Sequence, residues 1–454
     1  MKIVIAGASG FVGKQLLNVL RNHHEIVGIS RRARKSDDGI QWVQCDLFSL
    51  LDIEKTLSGA DVAVYLVHSM LPSARLTQGS FRDFDMILAD NFARAAKLTK
   101  VKHIIYLSGI IPPDALLSEH LQSRLEVENI LKSSGVPTTS LRAGLIIGPG
   151  GSSFEMMLRL VKRLPVMICP YWTSTLSYPV AVWDVVKIIK HCIEKGPLET
   201  TDCLDLCGPD PLSYKEMMKH LSLKLNRKHI FLPVPFVSPR LSKLWVCLIT
   251  GAPKDLVYPL VDSLKTHMIP LSPRPPELDF IEPMSFSDAI DRSIKESKTG
   301  ENPTAYSYHG LDNDLSVRSV QRVTTLFRSE VKGVVDLYFE WLGQYLKPII
   351  SIEKDGNFYS VKLIGLKQPL LVFEYSTSRS FADRELYYIR SGFLVGKSTR
   401  ARIEFRNIYQ GLYKIIAIHD YIPRLPWFFY KYTQALFHLF VMRSFGKFLI
   451  SKKL

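Results

Sequence analysis

Gly7-Ala8-Ser9-Gly10-Phe11-Val12-Gly13 follows an apolar, β-branched run, Lys2–Ala6, and precedes a stretch with Leu16, Leu17 and Leu20 at helical spacing. Three glycines in this register, between a strand and a helix, can cradle a pyrophosphate. Gly7 lets the chain turn sharply, Gly10 lets the backbone approach the phosphates, and Gly13 lets helix pack on strand. The first N–H groups of the helix then face the anion. The second strand, Ile26–Ser30, runs into Arg31 and Arg32, with Arg34 and Lys35 beyond. An NAD site usually carries an acid there, bonded to the ribose 2′-hydroxyl. Guanidinium groups instead can pair with a 2′-phosphate. The expected cofactor is therefore NADP(H) rather than NAD(H); the alternative is a solvated basic loop. Asp46, after a third strand at Ile40–Gln44, is placed to meet the adenine amino group or to serve as a turn carboxylate.

The elements that must hold these residues alternate. Further strands are expected at Val62–Val67, His103–Ser108 and Thr138–Ile147, with helices at Gly13–Asn22, Phe84–Leu98 and Leu121–Ser133. Val62–Val67 is apolar throughout, as a strand covered on both faces should be. This alternation predicts an α/β fold, a Rossmann doubly wound parallel sheet. From about residue 148 the pattern loosens into a smaller lobe broken by proline-rich turns, and this first domain is expected to span 1–296. Residues 297–315 are polar, with Gly, Pro and Asn, and read as a linker. From 316 to 454 a helix at Val331–Tyr345, several strand-like runs and a final helix near Trp427–Leu449 predict an α+β domain with an antiparallel sheet.

Composition narrows the partners. Apolar residues make up 46% and charged residues 22%, which excludes wholesale disorder. Fifty-eight basic against 43 acidic residues give a net charge of +15 and so an affinity for anions. Six cysteines lie scattered without a C-x-x-C; Cys203 and Cys207 have no second pair at zinc spacing. No metal site is expected, and reduced thiols fit a cytoplasmic protein. No signal peptide and no membrane-spanning run is visible. Residues 421–454 hold Arg424, Lys431, Arg443, Lys447, Lys452 and Lys453, many aromatics and no acid. Leu436 with Phe440, and Phe437 with Val441 and Ser444, have the spacing of a helix face packed in a core. The same composition also suits peripheral membrane contact, while a nucleic-acid surface is disfavoured.

The motifs G-A-S-G-F-V-G, V-Y-L-V-H-S at 64–69, I-Y-L-S-G at 105–109 and L-R-A-G-L-I-I-G-P-G at 141–150 resemble the atypical or extended short-chain dehydrogenase/reductases. The resemblance is to their NmrA-like and complex-I-39-kDa-like branch, and it covers about residues 1–295. The whole chain resembles bacterial NAD(P)-binding proteins whose C-terminal domain, of unknown function, is similar to the helix-grip (polyketide-cyclase-like) fold. Such a domain usually encloses an apolar cavity between sheet and helix. The resemblance implies cofactor contacts at Ser9, Phe11, Val12, Leu47, His68, Ser108, Arg124 and Gly144, besides Gly7, Gly10, Gly13, Arg31, Arg32 and Asp46. Active members use Tyr-x-x-x-Lys with a Ser or Thr. Here the family register, set by Glu128, places His120 at the Tyr position and Arg124 at the Lys position, with Ser108 the nearby hydroxyl. His120 and Arg124 either replace the dyad, line a cofactor site without catalysis, or form a helix face with no role. Glu155 is read as a substrate-side carboxylate or a surface acid, and Asp184 as structural.

The expectation is an NADP(H)-dependent oxidoreductase-like protein acting on an apolar, lipid- or quinone-related molecule. Its alternative is a non-catalytic NADP(H)-binding redox sensor or assembly factor. The altered dyad leaves open whether the chain is an enzyme.

Overall fold

The structure is a computed structural model describing residues 1–36, 39–69, 74–113, 116–198, 201–234, 239–272, 275–299, 316–324, 331–409 and 411–452. The chain forms two compact units. The first takes residues up to 71 and from 85 to 307; the second takes 72–84 and 308–454.

In the first unit seven parallel strands lie in the order Cys203–Leu206, Thr138–Ala143, His103–Gly109, Val62–Tyr65, Lys2–Ala6, Glu25–Ser30, Ile40–Gln44. Ile3, Val4, Ile5 and Val64 are fully buried in the central strands, so cover on both faces selects their unbroken apolar runs. From Lys2–Ala6 the chain winds one way through helix Phe11–Leu20, then returns to the other side of that strand at Val62–Tyr65. Right-handed crossovers put the helices of the two halves on opposite faces. The reversal opens a crevice beyond the carboxyl ends of the two central strands, where ligands bind in such sheets.

Several boundaries differ from the sequence reading. Val62–Tyr65 stops two residues early, Thr138–Ile147 breaks after Ala143, and a helix at Leu50–Leu57 appears in addition. Cys203–Leu206, within the stretch read as the irregular lobe, returns to the main sheet as its edge strand. Four residues are too short a run for periodicity to identify.

The second unit is an eight-stranded sheet. Six strands form an antiparallel meander from Ile350–Asp355 through Phe358–Leu363, Leu371–Tyr375, Arg384–Ser391 and Arg402–Ile408 to Tyr413–Tyr421. Val317–Thr324 pairs antiparallel with the last, and Leu76–Gln78 adds in parallel beside it. This corrects the expected single boundary near 297–315, since residues 72–84 lie in the second unit. Of that linker, 300–315 lie outside the described residues, and helix Phe286–Thr299 runs into its start. A strand of three residues, inserted between two elements of another domain, carries no signal of its partner sheet. Gln78 Nε2 donates to the Ala435 carbonyl at 2.8 Å, and Arg322 Nε to Asp83 at 2.8 Å, fastening the insertion.

Helices Val331–Tyr345 and Gln434–Ser451 pack aromatic rings against this sheet. Tyr338, Phe339, Trp341, Tyr359, Phe405 and Phe445 are buried together, with Phe339 stacked on Tyr359 at 3.9 Å. An open groove of about 550 Å³ lies beside Asp336, Gly343, Ile352, Lys354 and Tyr359. The final helix is broken at Thr433 into Trp427–Tyr432 and Gln434–Ser451. Its core stripe is Val441, Phe445 and Leu449, whereas Leu436, Phe437 and Phe440 are about half exposed and Phe428 is 69% exposed. An aromatic-rich helix offers more than one apolar stripe, and spacing alone cannot select the buried one. Along Arg402–Ile408, Arg402, Glu404 and Arg406 alternate with Ile403 and Phe405, and all five are buried. Glu404 accepts from Arg384 and Arg406, each at 2.9 Å, and pairs with His419 at 2.9 Å.

Phe445→Ala should cost about 3–5 kcal/mol in equilibrium unfolding of the second unit, whereas Phe437→Ala should change it by less than about 0.5 kcal/mol. The reverse order would reassign the core face.

Candidate cofactor and substrate site

The glycine turn is built as its spacing requires. Gly7 has φ +88°, and Gly10 N–H donates to the Gly7 carbonyl at 2.9 Å. A Cβ on Gly13 would stand 2.3 Å from the Gly7 oxygen, so no larger residue fits there. Helix Phe11–Leu20 has no side-chain cap at Gly10 and no acid in its first turn. Its leading N–H groups therefore suit an anion. Phe11 packs its ring under Gly148 and Gly151, where a Cβ would meet it at 2.9 Å. Val12 is buried and Ser9 is partly exposed on the turn. This cradle fits the pyrophosphate of a dinucleotide.

At the end of strand Glu25–Ser30, the Ser30 hydroxyl accepts from Arg32 N–H at 3.3 Å and Arg34 Nε at 3.2 Å. The Arg34 guanidinium lies 5.0 Å over the Trp42 ring. Gln44 Nε2 holds the Arg31 carbonyl at 3.3 Å. Arg31, Arg32 and Arg34 are exposed. The Asp46 carboxylate accepts from Phe48 N–H at 3.1 Å, an Asx turn. Leu47 is buried, and its carbonyl accepts from Asn91 Nδ2 at 2.9 Å.

Helix Glu119–Ser133 carries the dyad positions. Its register is locked by a buried acid, Asp85. That carboxylate accepts from Arg124 Nη2 at 2.9 Å, Ser123 Oγ at 2.9 Å and Ser69 N–H at 2.7 Å. Burial works against the Arg124 charge, but Asp85 outweighs it and leaves the guanidinium above its usual range. Among the described residues nothing accepts from Arg124 Nε, which is buried. Lower on the same helix, Glu128 takes Arg142 through two bonds, at 3.0 and 2.7 Å, and Lys132 at 2.9 Å. Arg142 is thus a strut between helix and sheet. Ser108 is buried within strand His103–Gly109, opposite Arg142 in the register.

His120 faces a different setting. Its Nδ1 lies 3.2 Å from Ser263 Oγ, which lies 2.9 Å from Ser118 Oγ and donates to the Pro259 carbonyl at 3.0 Å. Burial, then the Arg124 charge, then His68 push its pKa down to about 3. The imidazole is neutral at neutral pH, so it can donate or accept one hydrogen bond but holds no proton to release as an imidazolium. His68 is exposed just beyond strand Val62–Tyr65.

His120, Gly109 and Gly144 line a cavity of about 410 Å³. Its other walls are mostly apolar, with Met156, Met157 and Leu160 from helix Ser152–Arg163, Trp172, Met218, and Leu241, Trp245 and Val246 from helix Pro239–Thr250; Thr173, Tyr214 and Ser242 add hydroxyls. Glu155 lies on a different side of its helix from these and is absent from the lining. Asp184 is buried and accepts from Met284 N–H at 2.7 Å, a structural bond. Among the described residues no cluster of His, Cys, Asp or Glu could hold a metal.

Residues 7–158 match the family described as NAD(P)H-binding. A 111-residue stretch is 39% identical to the auxiliary protein GraX of Staphylococcus aureus, over 24% of this chain and 36% of that protein. The aligned stretch thus spans about a third of that relative. The fold is shared with the Citrobacter sp. triphenylmethane reductase complexed with NADP(H), at TM-score 0.52 and 16% identity over 64% of this chain and 100% of that one. It is shared also with a nucleoside-diphosphate-sugar epimerase from Staphylococcus aureus, at TM-score 0.51 and 18% identity over 64% and 99%. These likenesses show the fold of the first unit, a parallel Rossmann-like sheet flanked by helices.

The NAD(P)H-binding domain uses residues that motif reading passed over. Asp85 left one trace, an acid set in the apolar run Phe84–Ala89. Ser263 and the cavity walls from 156 to 268 left none, because they converge from separate elements.

Asp85→Ala would strand the buried Arg124 charge and should cost about 3–5 kcal/mol of stability, measurable by urea unfolding. For His120 the unfolded value lies near 6.5 and the folded value at about 3. The unfolded chain therefore takes up a proton that the folded chain refuses as pH falls through that window. Stability should be indifferent to this group above pH 6.5 and decline below it. His120→Gln should show a shallower decline between pH 6.5 and 4.

Proposed function

We propose that the first unit is an NADP(H)-dependent oxidoreductase acting on an apolar molecule held in the cavity beside His120. The observation that carries this reading is the cavity itself. It is walled by Met, Leu and Trp side chains, and it reaches Gly109 and Gly144 at the carboxyl ends of two sheet strands. Dinucleotide folds bring cofactor and substrate together at that edge. A bound NADPH would supply hydride. Gly7, Gly10 and Gly13 would hold its pyrophosphate, and Arg31, Arg32 and Arg34 its 2′-phosphate. Arg124 would hold the cofactor ribose. Neutral His120, steadied by Ser263, would orient a polar atom of the substrate. The Citrobacter reductase, of the same fold, is an NADP(H) complex.

A second reading is favoured by one observation: Arg124 is already paired with Asp85 and His120 is neutral, so no group matches the usual proton donor. On it, the protein binds NADP(H) as a redox sensor or assembly factor without turnover. In either case the C-terminal unit is taken as helix-grip-like. Its exposed Phe428, Phe429, Phe437 and Phe440, in an acid-free stretch from 421 to 454, are proposed as a peripheral membrane contact. Among the described residues no helix is long and apolar enough to cross a membrane. The six unpaired cysteines support a cytoplasmic location.

Titration with NADPH and NADH separates these ideas. Arg31→Glu/Arg32→Glu should weaken NADPH at least about tenfold and leave NADH nearly unchanged. Equal binding of both nucleotides by the wild type would overturn the NADP(H) assignment. NADPH oxidation with quinones or ketones, lost in Met157→Glu, is expected of the enzyme. Tight binding without turnover is expected of the sensor.

A further inference from the structure

Two elements that contribute to the cavity lining also carry exposed apolar side chains. One is a two-stranded parallel ribbon, Val166–Pro170 with Ile230–Val234, in register Val166 to Ile230 and Ile168 to Leu232. Met167 and Cys169 point inward and are buried, while Val166, Ile168, Ile230 and Leu232 are exposed, Ile230 by 61%. The other is helix Pro239–Thr250. Its Ser242 and Val246 are buried, yet Leu241, Leu244 and Leu248 are exposed, Leu248 by 78%. Ile168, Val234 and Leu241 also line the cavity, so the inner apolar wall continues into this outer face. Helix Pro239–Thr250 is tied at one end to helix Ser152–Arg163, which leads into the ribbon: Arg159 Nη1 donates to the Thr250 carbonyl at 2.7 Å and Arg163 Nη1 donates to the Ile249 carbonyl.

Seven exposed aliphatic side chains on one collar exceed the scattered apolar residues of an ordinary surface. The charge carried by these segments themselves is basic, with Lys243 paired to Asp262 of the neighbouring helix. Lys162 and Arg163 enter one strand and Arg227 and Lys228 the other, and all four are exposed. No Asp or Glu occurs from Met156 to Pro170 or from Met217 to Ala252. Aliphatic side chains in front, cations at the base and no acid within the two segments describe a surface that settles into an anionic bilayer. A protein partner recognised by charge would meet the same cations, but it would give no reason for the apolar face to continue into the mostly apolar lining of a cavity.

We infer that this collar docks the first unit on an anionic membrane surface, so that an apolar substrate enters the cavity from the lipid rather than from water. Docking is read from the collar itself; the passage of substrate rests on the apolar-cavity reading above. The surface differs from the aromatic patch of the second unit, and the two are separable by mutation.

The test is co-sedimentation of the full chain with vesicles of phosphatidylglycerol mixed with phosphatidylcholine, and with phosphatidylcholine alone. Ile230→Glu/Leu248→Glu, at two residues outside the cavity lining, should lower binding to the anionic vesicles at least about tenfold. Lys162→Glu/Lys228→Glu should do the same at low salt, with the difference shrinking as salt is raised. Both variants should bind NADPH as the wild type does, which shows they are folded. The inference fails if the wild type ignores anionic vesicles or if the collar variants bind as it does. It fails also if binding is lost only with Phe428→Ser/Phe437→Ser. A wild-type dimer that the collar variants turn into a monomer would assign the face to a second copy of the chain instead. Failure of NADPH binding in the wild type would remove the oxidoreductase reading and leave the vesicle result standing.

Discussion

The buried pair of Asp85 and Arg124 fixes the geometry on which the candidate site depends. Three donors converge on the Asp85 carboxylate from the helix carrying the dyad positions and from the loop after strand Val62–Tyr65. Taking two charges out of water is costly, and only such saturation offsets it. One turn further on, Glu128 repeats the arrangement with Arg142 and Lys132. Helix Glu119–Ser133 is thereby pinned twice, and His120, at its opening turn, is delivered to the cavity wall.

The same pair changes what the dyad positions can do. A lysine at position 124 would present a compact, mobile ammonium; an arginine presents a planar fork that is already half committed to a carboxylate. Its charge, with burial, keeps His120 neutral. Binding and orientation remain open to these residues, while proton donation by an imidazolium does not. Both functional readings therefore begin from one electrostatic arrangement and diverge on whether a substrate that needs only a hydride acceptor's environment occupies the cavity.

The lobe supplies that environment. Helices Ser152–Arg163 and Pro239–Thr250 bring methionine, leucine and tryptophan side chains over the carboxyl edge of the sheet. The edge strand Cys203–Leu206 binds the lobe to the sheet through its ladder with Thr138–Ala143. The second unit is interleaved along the chain rather than appended, because residues 72–84 belong to it. A chain ending near residue 300 would leave Leu76–Gln78 without the strand it pairs with.

The glycine register, the basic end of the second strand and the unbroken apolar strands were legible in the sequence by themselves, because each is a local demand. A turn at φ +88° wants Gly7, a helix against a strand wants Gly13, and a strand covered twice wants no polar residue. They determined the parallel sheet and the NAD(P)H-binding cradle. Tertiary structure alone decided the rest. Asp85 meets Arg124 across 39 residues and Ser263 meets His120 across 143, so no local window contains either pair. Glu128 is a further case: its pairing with Arg142 joins the helix to the sheet across 14 residues, a link that no single element contains. Which stripe of an aromatic helix is buried, and which strand a three-residue segment joins, are settled by what packs beside them, and that is a property of the folded chain.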